Sequence, residues 1–227
     1  MKKYTYIACS DAGIIKTINQ DSLLIKHIRY QNKEAIIALV CDGVGGLEQG
    51  EVASASLVHA FENAWIPSHL SQDIQTMKIT WRNFLKTWNE KIRKQSTTMA
   101  TTCSALLIVN ETIWILHVGD SRIYNYSKTL QQLTIDHSKD HKLYECIGYF
   151  PSIHPQIEMK SLKASNYLIC TDGLYRKLKE SELIEGFEQA KTKTQMKRQM
   201  QQWMQIVKQR QETDNMSAIW IRVNADD

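Results

Sequence analysis

Proline is scarce in this chain, at 3 residues, and glycine is held to 9 of 227. Collagen-like and low-complexity polymers need these residues in bulk, so both are excluded. Long hydrophobic runs are missing too. The longest, such as Ala35 to Cys41, have the length of a strand and fall far short of the roughly 20 residues of a membrane-spanning helix. The basic opening Met1-Lys2-Lys3-Tyr4-Thr5-Tyr6 is followed by no apolar core, so no secretory signal is read there. No pair among the 5 cysteines has CxxC spacing, and the count is odd. That speaks against a disulfide framework and for buried thiols at Cys41, Cys103 and Cys170 in a reducing compartment. Charge of one sign is also lacking. The net charge of +4 does not demand nucleic acid. Lys191, Lys193, Lys197, Arg198, Lys208 and Arg210 fall on a helical stretch and read as its solvated face. With 43% hydrophobic and 23% charged residues, the chain has enough apolar material to offset the entropy of ordering. The expectation is a soluble cytoplasmic protein with neither a nucleic-acid nor a membrane partner.

Strand signals come first. Tyr4 to Cys9 and Ser22 to Ile25 are β-prone, and Ala35 to Cys41 is a continuous apolar run, which reads as a strand buried on both faces. The glycine-dense turn Asp42-Gly43-Val44-Gly45-Gly46 ends it. A helix fits Gly50 to Trp65, closed by Pro67, and a second fits Asp73 to Lys94 with its apolar residues three and four apart. Strands return at 104–109 and 112–118 around the turn Asn110-Glu111, then at 121–126, 130–134 and 166–170. Helices over 180–189 and 194–209 and a strand over 216–223 complete the chain. No repeat, linker or composition break is visible, so residues 1–227 read as one domain. The order is α+β, with antiparallel sheets covered by helices rather than alternating βαβ units.

The informative residues are aspartates where strands begin or run out: Asp21, Asp42, Asp120, Asp172 and Asp214. Carboxylates gathered at the rim of a rigid sheet repel one another unless something neutralises them. A hard divalent cation does so, and all-oxygen ligands suit magnesium or manganese. Zinc is disfavoured, because the one HxxxH pair, His137 and His141, lacks the glutamate of a zinc-protease helix. Spacing alone does not bring the five together, and each by itself reads equally as a cap or turn residue.

In chain order the motifs are Asn19-Gln20-Asp21, Val40-Cys41-Asp42-Gly43-Val44-Gly45-Gly46, Gly50-Glu51-Val52-Ala53-Ser54, Ala100-Thr101-Thr102, His117-Val118-Gly119-Asp120-Ser121-Arg122, Leu133-Thr134-Ile135-Asp136-His137-Ser138, Cys170-Thr171-Asp172-Gly173-Leu174 and Asp214-Asn215-Met216-Ser217. Eight segments in this order resemble the metal-dependent type 2C protein phosphatases, in the bacterial form. The resemblance implies a β-sandwich of two antiparallel sheets flanked by helices. It implies a phosphoserine/phosphothreonine protein phosphatase, a monomer that opposes a Ser/Thr kinase, working with Mn2+ or Mg2+. Carried over by motif, Asp42 bridges two ions, the Gly43 carbonyl completes one site, and Asp172 and Asp214 bind the other. Asp120 with Asp172 resembles the pair that holds a third, weaker ion. Asp21 acts through metal-bound water, and Asn19 supports its loop. A hydroxide bridging the ions then attacks phosphorus directly, with no phosphoenzyme.

The chain departs from the family pattern at three places. Lys16 stands where the family has a phosphate-contacting arginine, so phosphate binding is assigned to Lys16 with a point charge in place of a fork. Val44 stands where many eukaryotic members have a histidine, and no general acid is assigned. The stretch from Asp140 to Pro155, the family's flap, carries Tyr144, Tyr149 and Phe150, which fit peptide recognition and packing equally. Arg122 reads as bracing the aspartate cluster and His137 as structural. Cys170 and Arg176 have the spacing of a Cys-x5-Arg phosphatase loop, but Asp172 inside it would repel a phosphate dianion. The alternative functions are a catalytically weak regulatory binding module on the same fold and, further off, a metal-dependent nuclease.

Overall fold

The computed structural model describes residues 3–30, 33–45, 49–64, 73–140 and 142–224. Gly46, His141 and the expected helix end at Trp65 and Pro67 lie outside the described residues. In chain order the elements are β1 (Tyr4–Asp11), β2 (Ser22–Tyr30), β3 (Lys33–Cys41), α1 (Gly50–Ala64) and α2 (Ile74–Gln95). Then follow β4 (Cys103–Val109), β5 (Thr112–Val118), β6 (Arg122–Tyr126), β7 (Leu130–Gln132), β8 (Ser138–Lys139), β9 (Lys142–Leu143) and β10 (Gln156–Ser161). The chain continues through β11 (Ser165–Cys170), α3 (Asp172–Tyr175), α4 (Glu180–Gln189), α5 (Lys193–Gln209) and β12 (Met216–Val223).

One sheet has the order β1-β12-β11-β6-β7 and the other β10-β5-β4-β3-β2, with all pairs antiparallel. They pack face to face as a sandwich. Successive residues of a strand point to opposite faces, and this explains the continuous apolar run at β3. Ile36, Ala38 and Val40 enter the core between the sheets with Leu106, Ile108, Ile219 and Ile221. Ala35, Ile37, Leu39 and Cys41 face the other way, against Leu57 and Phe61 of α1 and Trp81 and Leu85 of α2. A strand covered on both faces has no polar side to show. The second sheet is covered in the same manner. Leu168, Ala218 and Trp220 pack on Phe187 of α4 and on Met196, Met200, Trp203 and Val207 of α5. The layers are therefore helix, sheet, sheet, helix, as the motif resemblance implied.

Sequence periodicity finds the long elements and misses edge strands and the shortest segments, the two-residue strands β8 and β9 included. Strand β10 alternates Ile157 and Met159 with Glu158 and Lys160 and forms one edge of its sheet. The outer half of β2 is likewise an edge. Edges need only one buried face, so their apolar signal is weak. Helix α3 is a single turn, too short to show a period. Asp73 caps α2 by accepting from the backbone of Gln75 and Thr76, which fixes the start of that helix. Of the basic residues read as a solvated face, Lys191, Lys193, Lys197 and Arg198 are exposed, whereas Lys208 and Arg210 are half-buried in ion pairs with Asp11 and Glu182. Four of the five free cysteines are buried, including Cys41, Cys103 and Cys170. Among the described residues no helix is long and apolar enough to cross a membrane.

Helices α4 and α5 approach closely because Gly186 has no side chain. A Cβ there would fall well inside contact distance of the Trp203 ring. That ring has nowhere to go: it stacks on Trp220 at 5.2 Å between centroids and donates its indole N–H to the Glu182 carbonyl at 3.1 Å. Gly186→Ala should therefore lower stability by roughly 1–3 kcal/mol, the usual range for overpacking a tight core. Thermal melting checks this, and an unchanged Tm would contradict the packing.

Candidate active site

The register of the strands delivers the aspartates to one rim. Ser22 lies opposite Cys41, so Asp21 and Asp42 leave β2 and β3 at the same edge. Cys170 lies opposite Ala218 and Asp11 opposite Met216. Asp172 and Asp214 therefore come off neighbouring strands of the facing sheet. Asp120 follows β5 one residue past Gly119, on the same sheet as Asp42.

Short polar side chains hold the backbone around these carboxylates. Asp42 N–H donates to Thr102 Oγ1 at 3.0 Å, and the Asp42 carbonyl accepts from Thr102 N–H at 2.8 Å and Thr101 Oγ1 at 2.9 Å. Gly43 donates to the Gln20 carbonyl at 3.1 Å. Any Cβ at Gly43 would lie 2.5 Å from the Gly50 carbonyl group, so only glycine lets the two segments meet. Asn19 Oδ1 accepts from Asp21 N–H at 3.1 Å, and its amide donates to Ser10 Oγ at 2.8 Å. Asn215 ties the same loop to β12, accepting from Gln20 N–H and donating to the carbonyls of Ala12 and Ile18. Thr171 Oγ1 donates to Asp21 Oδ2 at 3.1 Å and so joins the two sheets at the rim.

Asp42, Asp120, Asp172 and Asp214 line a single cavity of about 420 Å3. Its opposite wall comes from the flap, with Lys142, Leu143, Tyr149 and Phe150. The flap is pinned to α2, since Asn89 accepts from Gly148 N–H at 2.8 Å and donates to the Phe150 carbonyl at 3.0 Å. Of the flap aromatics, Tyr149 and Phe150 face the cavity, whereas Tyr144 bonds the Asp136 carbonyl. Asp21 is buried behind the cavity. Lys16 stands at its mouth, with Nζ 3.8 Å from Asp214 Oδ1. Arg176, one turn after Asp172, contacts Asp172 Oδ2 and lies 3.6 Å from Asp214 Oδ2.

Burial and mutual repulsion dominate the electrostatics. Burial, with the charges of Asp21, Asp172, Asp214 and Asp120 added, holds the Asp42 carboxyl well above the ordinary carboxylate range. Burial pushes Asp21 up to about 7, opposed by hydrogen bonds from Ser217 and Thr171. Burial likewise pushes Asp172 up to about 7, against the attraction of Arg176. Asp120 is raised too, again by burial and again opposed by Arg176.

Oxygen atoms are left without partners here. Among the described residues, Asp21 Oδ1 and Asp172 Oδ1 are buried with no hydrogen bond. Such atoms are costly unless a cation meets them. An all-oxygen donor set with orphaned carboxylate atoms fits hard divalent ions such as magnesium or manganese. Among the described residues no three His, Cys, Asp or Glu side chains stand close enough to form a ready-made cage. The carboxylates turn instead toward the side-chain cations Arg176 and Lys16.

Arg122 braces something other than the cluster. Its guanidinium forks onto Asp136, with Nη2 2.7 Å from Oδ2, donates to Tyr124 Oη at 2.9 Å and lies 3.8 Å over the Tyr175 ring. Tyr175 Oη in turn donates to the Asp120 carbonyl at 2.9 Å. The bracing of the aspartates is thus indirect, through a ring and a backbone oxygen. His137 is structural: its Nδ1 accepts from Gly119 N–H at 3.2 Å. Sequence reasoning misses Arg176 as a cavity residue, because its spacing draws attention to Cys170 instead. The useful signal is its place four residues after Asp172, which becomes a neighbour once α3 forms.

The protein phosphatase 2C family matches residues 15–219, and the chain belongs to that family. The serine/threonine phosphatase stp of Listeria welshimeri is 31% identical over 142 residues, 59% of this chain. That match takes in 55% of the Listeria protein, little more than half its length. Protein phosphatase PhpP of Streptococcus pneumoniae is 26% identical over 202 residues, 77% of this chain and 80% of the relative. Among solved structures, the catalytic domain of the serine/threonine protein phosphatase PstP, in complex with 2 manganese ions, has a TM-score of 0.77 at 21% identity. It covers 98% of this chain and 99% of that one, a likeness of fold.

The raised carboxyl values have a consequence for stability. Unfolded aspartates titrate near 3.9, so the metal-free folded state binds more protons than the unfolded one. The contribution of these aspartates to stability is then fully present at low pH and is lost as pH rises toward about 7, where Asp21 and Asp172 ionise. In EDTA, Asp42→Asn should lose less Tm than the parent protein between about pH 5 and pH 8, since it removes the most repelled charge. Identical pH dependence in the two proteins would contradict the raised Asp42 value.

Proposed function

We propose that this protein is a metal-dependent phosphatase of phosphoserine and phosphothreonine in protein substrates, working as a cytoplasmic monomer opposite a Ser/Thr kinase. The observation that carries the reading is the convergence of Asp42, Asp120, Asp172 and Asp214 on one cavity, with Asp21 buried behind. Asp42 would hold both of two ions, with the Gly43 carbonyl completing one site and Asp172 and Asp214 the other. When bound, two such ions supply activated water and neutralise the phosphoryl oxygens. The manganese found in the PstP relative supports this choice of ion.

The protein's own groups position the substrate. The acidic floor would repel a phosphate dianion by itself, and Lys16, Arg176 and Lys142 form a cationic edge that would draw it to ions held by Asp42, Asp172 and Asp214. Tyr149 and Phe150 offer an apolar wall to the residues flanking the phosphoamino acid. No side chain of the cavity is suited to covalent attack. Burial pushes the Cys146 thiol, the one cysteine on the wall, up to about 12. Cys170 is fully buried behind Asp172, and burial raises it to about 12 as well. Ser121 shares a hydrogen bond with Thr102 at 2.8 Å. Water would therefore attack phosphorus directly with no phosphoenzyme, the P–O bond to the seryl or threonyl oxygen breaking in line and that oxygen leaving as the alcohol with a proton from the attacking water.

Hydrolysis of a phosphothreonine peptide across a metal panel tests the reading. Activity should need Mn2+ or Mg2+ and vanish with EDTA. Asp42→Ala and Asp172→Ala should fold and lose turnover. A rate above about a tenth of the parent's in Asp42→Ala, a loss under about 1.4 kcal/mol of barrier, would contradict its role.

Lys16→Ala should mainly raise KM, because a phosphate contact made in the ground state is uniform binding. Lys16→Arg should match or improve on the parent. Steady-state kinetics check both, and unchanged constants in Lys16→Ala would move the phosphate anchor elsewhere.

A further inference from the structure

The acidic cavity carries a cation of its own. Helix α3 begins at Asp172, and one turn later its backbone is closed by Arg176 N–H donating to the Asp172 carbonyl at 2.9 Å. This turn is held from outside by Tyr175, which bonds the Asp120 carbonyl and lies under the Arg122 guanidinium. Arg176 Nη2 meets Asp172 Oδ2 and its Nη1 lies 3.6 Å from Asp214 Oδ2.

The two oxygens of Asp172 are therefore unequal. Oδ2 is taken by the guanidinium, while Oδ1 is buried and has no hydrogen-bond partner. One oxygen remains for one ion. An ion shared between Asp120 and Asp172, in addition to a pair of ions at Asp42, Asp172 and Asp214, would have to displace the guanidinium from Oδ2 or crowd onto Oδ1 beside another ion. Charge points the same way: Arg176 is the foremost opposing charge at both Asp120 and Asp172. The fixed positive charge thus serves Asp172, Asp120 and Asp214, while none of the ion pairs among the described residues reaches Asp42.

We propose that Arg176 is a resident cation that occupies the place of a third metal ion, so that this cavity holds two divalent ions and no more. The inference rests on reading the cavity as a metal centre. Arg176 is a positioning residue here: it limits the ions and orients Asp172 toward one of them.

Counting bound Mn2+ tests it. The electron paramagnetic resonance signal of free Mn2+ is followed as the ion is titrated into the full-length protein, from micromolar to millimolar concentration. The parent protein should saturate at two ions. Arg176→Ala and the size-conserving Arg176→Gln should each take a third, weaker ion, and adding Asp120→Asn to either should remove it again. Saturation of the parent at three ions would overturn the proposal whatever the variants do. So would an Arg176→Gln protein of native circular dichroism that still stops at two. Fewer than two ions in the parent would overturn the metal-centre reading itself, and this inference with it.

Discussion

Repulsion among buried and half-buried carboxylates is the constraint on which the rest of this structure turns. Asp42, Asp120, Asp172 and Asp214 line one cavity, and Asp21 lies behind them. At an effective dielectric of about 20, two like charges 4 Å apart cost about 4 kcal/mol, a large share of the stability of an ordinary domain. A fold that keeps such groups together must hold them by force. Here the force comes from a sandwich with three apolar layers, one between the sheets and one under each pair of helices. Strand ends on rigid sheets cannot move apart, and a mesh of threonine, asparagine and backbone bonds fixes the segments that follow them.

That strain gives the site its chemistry. Cations are drawn to it because each carboxylate is more easily satisfied by a charge than by water. Two side chains answer part of the demand, Arg176 on Asp172 and Lys16 near Asp214. Among the described residues the Asp42 end has no comparable partner. On the proposed reading, divalent ions bound there would meet the orphaned oxygen of Asp172, and a phosphoryl group would meet a site already lined with cations. The aromatic flap wall stands across the cavity from the acidic floor, where the polypeptide on either side of a phosphoresidue would pass.

Much of this is legible in the order of residues. The continuous apolar run at β3 announces a strand covered on both faces. Aspartates just beyond strand ends mark a rim, and eight motifs in order point to the family and its sandwich. What stays hidden depends on geometry that spacing does not carry. Strand β10 shows one apolar face because it lies at an edge. Arg122 reads as a brace on the aspartates, but its carboxylate partner is Asp136, fourteen residues away and brought near only by the β6–β7 pairing. Arg176 becomes visible as a cavity residue only when Asp172 opens a helical turn. Convergence of the five aspartates is a property of strand register, which residue order suggests and only the paired strands establish.

The most direct test of the central claim is anomalous diffraction from crystals grown in Mn2+, with data collected at the manganese edge. The account requires two strong peaks, both within coordination distance of Asp42, one of them shared with Asp172 and Asp214. An empty cavity at millimolar Mn2+, or peaks that avoid Asp42, would contradict it.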